Sequence, residues 1–216
     1  MSLTKPEVWE LVHAERRRLL DDLTTVDAPR WETPSLCRNW TVHDVLAHVV
    51  DTAKTGKIAF VWSMARARGD FDRANEDGVR RCKRDDPQQT LADFRQVLDL
   101  RRIPTAHRAT RLVEAIAHGE DIRRPLGISG DYPSAAVHEA LAYQLRTPAS
   151  FGGSREHAEG CRLTDSDTGA SWGEGLEVTG KAVDLLLAAT GRTITPTLLA
   201  GPGAHRLMKT NEDTTE

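Results

Sequence analysis

The stretch "WTVHDVLAHVV", residues 40–50, decides the fold. Thr41 is suited to cap a helix N-terminus through its hydroxyl, and Asp44 stands three residues on, where its carboxylate can accept from the cap's backbone N–H. Trp40 and Val45 occupy the two flanking positions whose side chains staple such an entry. A helix therefore starts at Val42, and it carries His48 among Val45, Leu46, Ala47, Val49 and Val50. With neighbours that all favour burial, that imidazole points into a protein interior. The apolar pattern continues through Ile58, Phe60, Val61, Trp62 and Met64 to "RARGD", which predicts one long helix. His43 lies five residues from His48, off its face, and reads as a first-turn surface residue.

Upstream, residues 6–24 space Val8, Leu11, Val12, Leu19, Leu20 and Leu23 at helical intervals behind Pro6, which suits a first turn. In "ERRRLLDDL" the arginines Arg17 and Arg18 precede Asp21 and Asp22 by four residues, the spacing of a salt-bridged, solvated helix face. Downstream, the charged stretch Asp70 to Asp86 has room for a short helix. Residues 87–103 read as a helix opened by Pro87 and broken by Pro104. A further helix spans about 106–124, with Arg123 and Arg124 in its last turn, and another opens at Pro133.

After "TPASFGGS" the character changes. The segment "GCRLTDSDTGASWGEGLEVTG" has short extended-type runs punctuated by Asp, Thr and Gly, which predicts a hairpin or small sheet. "KAVDLLLAATGR" is then a helix with Gly191 at its C-terminal cap. The expected architecture is mainly α: a helical bundle over residues 1–150, a small α/β C-terminal domain over 155–208, and a flexible tail over 209–216.

Composition narrows the class. The net charge of −3 offers no overall field for nucleic acid or an acidic membrane surface. No apolar run approaches the roughly 18 residues of a membrane span, and the N-terminus lacks a signal-peptide pattern, so a cytoplasmic protein is expected. Cys37, Cys82 and Cys161 lie far apart with no CxxC, so they are expected as reduced thiols, and nothing singles one out as a nucleophile.

A second stretch, "LVEAIAH" at 112–118, sets Glu114 as the one charge in an apolar run, which demands a cation. His118 is four residues on, about 40° round the helix and one turn along it, so the two share a face. Two imidazoles and a carboxylate from two helices are a common set for a divalent metal, most often zinc, with positions left open for water or substrate. The same residues also fit a satisfied core histidine at His48, and a buried pair at Glu114 and His118 bonded to each other or to Arg111. Other patterns are weaker: "HEALA" at 138–142 has Ala142 where a zincin needs its second histidine, and no phosphate loop is present.

"WETPSLCRNWTVHDVLAHVV" and "LVEAIAHGEDIRRPLG", followed by "GCRLTDSDTGASWGEGLEVTGKAVDLLLAATGR", resemble the signatures of the mycothiol-dependent maleylpyruvate isomerase family. The resemblance implies a DinB-like four-helix bundle followed by a small α/β domain, with zinc or another divalent metal held by His48, Glu114 and His118. It implies mycothiol, the low-molecular-weight thiol of actinobacteria, as cosubstrate. The implied activity is thiol transfer to a small electrophile, or thiol-assisted cis–trans isomerisation of one. A non-catalytic metal-containing ligand-binding or regulatory protein is the alternative. Asp121 is a candidate for orienting a ligand histidine, equally able to pair with Arg124, and Arg206 is a candidate for binding an anionic substrate.

Overall fold

The computed structural model describes residues 2–208, and the predicted tail at 209–216 lies outside them. The described residues form two compact units, Thr4–Asp131 and the chain from Tyr132 onward, the latter joined by the residues before Thr4.

The first unit contains six helices: α1 Lys5–Leu23, α2 Val42–Lys54, α3 Lys57–Arg66, α4 Phe71–Cys82, α5 Pro87–Val97 and α6 Thr110–Arg123. Helix α2 packs against α5 and α6, and α1 packs against the same two, which closes a four-helix bundle; α4 adds to the outside of α2. The core is apolar stripes brought together: Leu19 and Leu23 of α1, Val45, Leu46 and Val50 of α2, Phe94 of α5 and Ile122 of α6, with Trp31 from the loop. Burying a side chain of this size stabilises by about 1.5–3 kcal/mol relative to leaving it in water.

Both predicted helix starts have their caps. Thr41 Oγ1 and its backbone N–H donate to the Asp44 carboxylate at 2.7 and 2.9 Å, and Asp44 N–H donates back to Thr41 Oγ1 at 3.2 Å. Thr4 and Glu7 make the same reciprocal pair ahead of α1.

The long helix expected from residue 42 to 64 is two. Helix α2 stops at Lys54, Thr55 and Gly56 are extended, and α3 restarts at Lys57. None of the α3 residues is buried, and Ile58, Val61 and Trp62 are 77%, 58% and 67% exposed. The end of α2 is terminated by arginines from elsewhere in the bundle: Arg111 donates to Thr52 O at 3.0 Å and Arg102 to Lys54 O at 2.7 Å, satisfying carbonyls that a continuing helix would bond itself. Arg16 does the same for α5, donating to Val97 O, Leu98 O and Leu100 O at 3.0–3.3 Å. Helix α5 accordingly ends at Val97 and not at the proline, and α6 begins at Thr110.

The solvated ion-pair face predicted on α1 is also redrawn. Arg17 pairs with Asp99 and Arg18 with Glu15, while Asp22 turns to the buried Arg123 at 2.7 Å. Arg123 is 2% exposed and bonded to Glu15 as well, so α1 and α6 are tied by a buried ion network. Helices α2 and α4 approach closely at Gly78, where a Cβ would stand 2.4 Å from an Asp51 carboxylate oxygen.

The second unit contains α7 Ser134–Arg146, a sheet of β1 Cys161–Asp165, β2 Ser171–Trp172 and β3 Leu176–Gly180, then α8 Ala182–Ala189 and α9 Ala204–Met208. The small sheet is present as predicted, but it is not a simple hairpin. Its order is β2-β1-β3, with β1 antiparallel to β2 and parallel to β3, and Leu163 faces Trp172 on one side and Val178 on the other. Asp165, at the end of β1, accepts from the backbone N–H of Ala182 at the start of α8, the Thr168 hydroxyl and His138 of α7. Helix α7 packs against α8, which puts the helix opened by Pro133 in the C-terminal unit although the sequence reading assigns it to residues 1–150. Its pattern reports a buried face but not the partner of that face.

Candidate metal centre

Three segments of the bundle supply the polar side chains gathered round His118. Helix α2 carries His48, which is 5% exposed. The loop before α2 carries Cys37 and Trp40. It is folded tightly: Ser35 N–H donates to Trp40 O, Trp40 N–H to Cys37 O, and Asn39 takes the left-handed conformation, which asparagine tolerates better than most residues. Helix α6 carries Arg111, Glu114, His118 and Asp121, and Leu36 N–H donates to Asp121 O, pinning the loop to that helix.

The rings of His48 and His118 meet edge to face, 4.7 Å between centroids, and Trp40 lies against His48 at 5.0 Å. Two of the three predicted ligands are thus in contact. The third is engaged elsewhere. Glu114 pairs with Arg111 at 2.7 Å, the arginine that the sequence reading named as its alternative partner. Arg111 is 2% exposed, so Glu114 offsets a buried guanidinium.

Asp121, fully buried, bonds His118 Nδ1 at 2.9 Å through Oδ2. The same oxygen accepts from the Cys37 thiol at 2.9 Å, and Cys37 Sγ is 3.8 Å from His118 Nδ1. Among the described residues, Cys37, His118 and Asp121 are the group whose potential ligand atoms all lie within 4.8 Å of one another. Burial opposes charge on His118, but the hydrogen bonds to Asp121 and Cys37 outweigh it and push its pKa up to about 9.

Cys37 was legible as part of "PSLCRNW", but a cysteine in a spacer gives no period and no partner in sequence, and only the loop fold delivers it to α6. His43 departs from its expected surface position. It is 1% exposed, its Nε2 is 2.8 Å from the Thr90 hydroxyl of α5, and burial lowers its pKa. Arg206 lies in the other compact unit, exposed, with its guanidinium over Gly160.

Residues 12–110 match the family model described as the mycothiol maleylpyruvate isomerase N-terminal domain. Over those residues the bundle is similar to this family's N-terminal domain. The match includes Cys37 and His48 and ends as α6 begins. Two solved structures of the mycothiol-dependent maleylpyruvate isomerase, one of them a histidine-to-alanine mutant, superpose with a TM-score of 0.66. They cover 94% of this chain and 94% of theirs at 17% and 19% identity, a likeness of fold. No curated protein matches the sequence. Among the described residues no helix is long and apolar enough to cross a membrane.

Proposed function

We propose that this protein is a metal-dependent enzyme of the maleylpyruvate isomerase family that activates a low-molecular-weight thiol, mycothiol or a close analogue, for addition to a small electrophile. S-transfer and thiol-assisted cis–trans isomerisation both begin with that addition. The observation that carries the reading is the contact of His48 with His118 inside the family's bundle, with His118 Nδ1 held by a fully buried carboxylate.

The residues fit a divalent ion in their donor chemistry. A hydrogen bond from Nδ1–H to Asp121 fixes the tautomer of His118, which leaves the lone pair on Nε2, the arrangement that metal-binding histidines adopt. His48 supplies the second imidazole. Glu114, the third ligand the resemblance implies, joins them only by releasing Arg111, whose remaining bond to Thr52 O keeps it tethered. A bound zinc or similar ion stabilises a thiolate at neutral pH and so makes the thiol a competent nucleophile. The chain's own contribution is to hold two imidazoles rigidly on facing helices and to wall His48 with Trp40, which keeps bulk water from that side.

Elemental analysis of protein purified without chelators tests the reading. The expected result is about one equivalent of metal in the wild type and a large loss in His48→Ala, with metal-loaded wild type consuming mycothiol in the presence of a reactive electrophile. Full metal retention in the variant would remove His48 from the site. Stoichiometric metal without thiol consumption across a panel of electrophiles would make the protein a binding module instead.

A further inference from the structure

The side chain at the centre of the proposed metal site faces a second ligand set. We propose that Cys37, His118 Nδ1 and Asp121 form a separate binding position for thiophilic divalent ions such as cadmium, and that an ion held there shuts down the neighbouring site. This deepens the metal reading by naming a regulation of it, and it shares His118 and its partner Asp121 with that reading.

The geometry is close to what an ion needs. Zinc bond lengths of about 2.3 Å to sulfur and 2.0–2.1 Å to nitrogen and oxygen place tetrahedral ligand atoms roughly 3.3–3.6 Å apart, and the larger cadmium ion sets them further apart still. The three edges here are 2.9, 2.9 and 3.8 Å. The two short edges are the hydrogen bonds from the thiol and the imidazole to Asp121 Oδ2. In each, a proton stands between two potential ligand atoms, so one dication takes the place of two bridging protons while the edges open by about half an ångström or more. The carboxylate is already buried and the loop already fixed against α6 by the Leu36–Asp121 backbone bond, so little further ordering is required.

The sulfur atom selects the ion. A thiolate favours soft cations, whereas the His48 and Glu114 side offers nitrogen and oxygen alone. The two positions compete because a neutral imidazole has one lone pair to donate. If Nδ1 takes an ion at Cys37 and Asp121, the ring proton moves to Nε2 and His118 can no longer serve beside His48. The same ion also draws Asp121 away from its orienting role. A soft ion at Cys37 therefore withdraws two supports of the functional site at once.

Cadmium titration of the metal-free full chain tests this. The expected result is one equivalent bound with an intense ultraviolet sulfur-to-cadmium charge-transfer band, present in His48→Ala and abolished in Cys37→Ser. In the wild type, bound cadmium should slow alkylation of Cys37 by iodoacetamide at least tenfold, read by mass spectrometry with Cys82 and Cys161 as internal comparisons; this measurement does not depend on the variant folding. Cadmium uptake with no charge-transfer band and no protection of Cys37 would overturn the proposal and leave the His48 reading standing. A band that survives in Cys37→Ser would overturn it as well, assigning the sulfur to another cysteine. Loss of the resident metal is judged separately on His48→Ala, so a failure of the functional reading cannot be mistaken for a failure of this one.

Discussion

The metal-free protein should lose stability as the pH rises through the weakly alkaline range, and His118 sets the size of the effect. Its pKa moves from the ordinary 6.5 to about 9 on folding, against the cost of burial, through its hydrogen bonds to Asp121 and Cys37. A group whose pKa is raised in the folded state contributes stability that is fully present below its unfolded pKa and disappears as the pH climbs through the folded one. Between pH 6.5 and 9 the folded state holds one proton that the unfolded state releases, so stability falls by up to about 1.4 kcal/mol per pH unit, or about 3 kcal/mol in all. His118 is 14% exposed, so solvent screening reduces this little. The buried histidines His13 and His43 and the half-buried His157 have lowered pKa values, with burial the leading cause in each. Their contribution is present above the unfolded pKa of about 6.5 and lost as the pH falls below it, so it occupies a different window. Urea denaturation after chelation, at half-unit steps from pH 6 to 9.5, measures the slope. Asp121→Asn, nearly isosteric, should flatten it. Equal slopes in wild type and variant, or no slope in the wild type, would refute the assignment of the proton to the His118–Asp121 pair.

Two further outcomes concern the bundle that positions this site. Glu15→Ala takes one carboxylate from the buried Arg123 guanidinium while Asp22 stays bonded to Nε, and should destabilise by about 1.5–3 kcal/mol in denaturant unfolding. Adding Arg123→Met should recover most of that loss; failure to recover would show that the Glu15–Arg123 pair itself, and not the cost of the guanidinium left with fewer acceptors, supplies the stability. Thr41→Ala removes the cap of the helix that carries His48 and should cost about 1 kcal/mol by the same assay, with a change below a few tenths showing that the rest of the loop holds the helix start unaided.

The parts of this fold that were legible in the sequence are those signalled by the spacing of near neighbours along the chain. The Thr41–Asp44 cap, the apolar stripe of α1 and the small C-terminal sheet all rest on local spacing, and all are present. What was misread depends on partners far along the chain. Ile58, Val61 and Trp62 keep a helical period after α2 has ended at Lys54, where Arg111 and Arg102, 59 and 48 residues along the chain, bond the carbonyls of Thr52 and Lys54. His43 seemed exposed by its angle from His48, yet α5 brings Thr90 over it. A helical angle separates faces of one helix but does not say which faces neighbouring helices cover.

The same distinction runs through the site. A sequence can reveal that a charge is set in an apolar run, as at Glu114, but the requirement for a partner does not choose between a metal and a guanidinium three residues away. Arg111 answers that requirement here, and because it is itself buried, the pair stands or falls together. For an ion to recruit Glu114, its attraction must exceed the cost of leaving Arg111 with backbone carbonyl bonds alone. His118 keeps its partner when it gives up its second proton to an ion, since Asp121 binds the nitrogen opposite the one that would face His48's ion and strengthens that nitrogen as a donor. The two histidines therefore need only release the His118 proton to take a metal, while the carboxylate would have to be exchanged for it, and Glu114→Gln should weaken metal retention less than His48→Ala does.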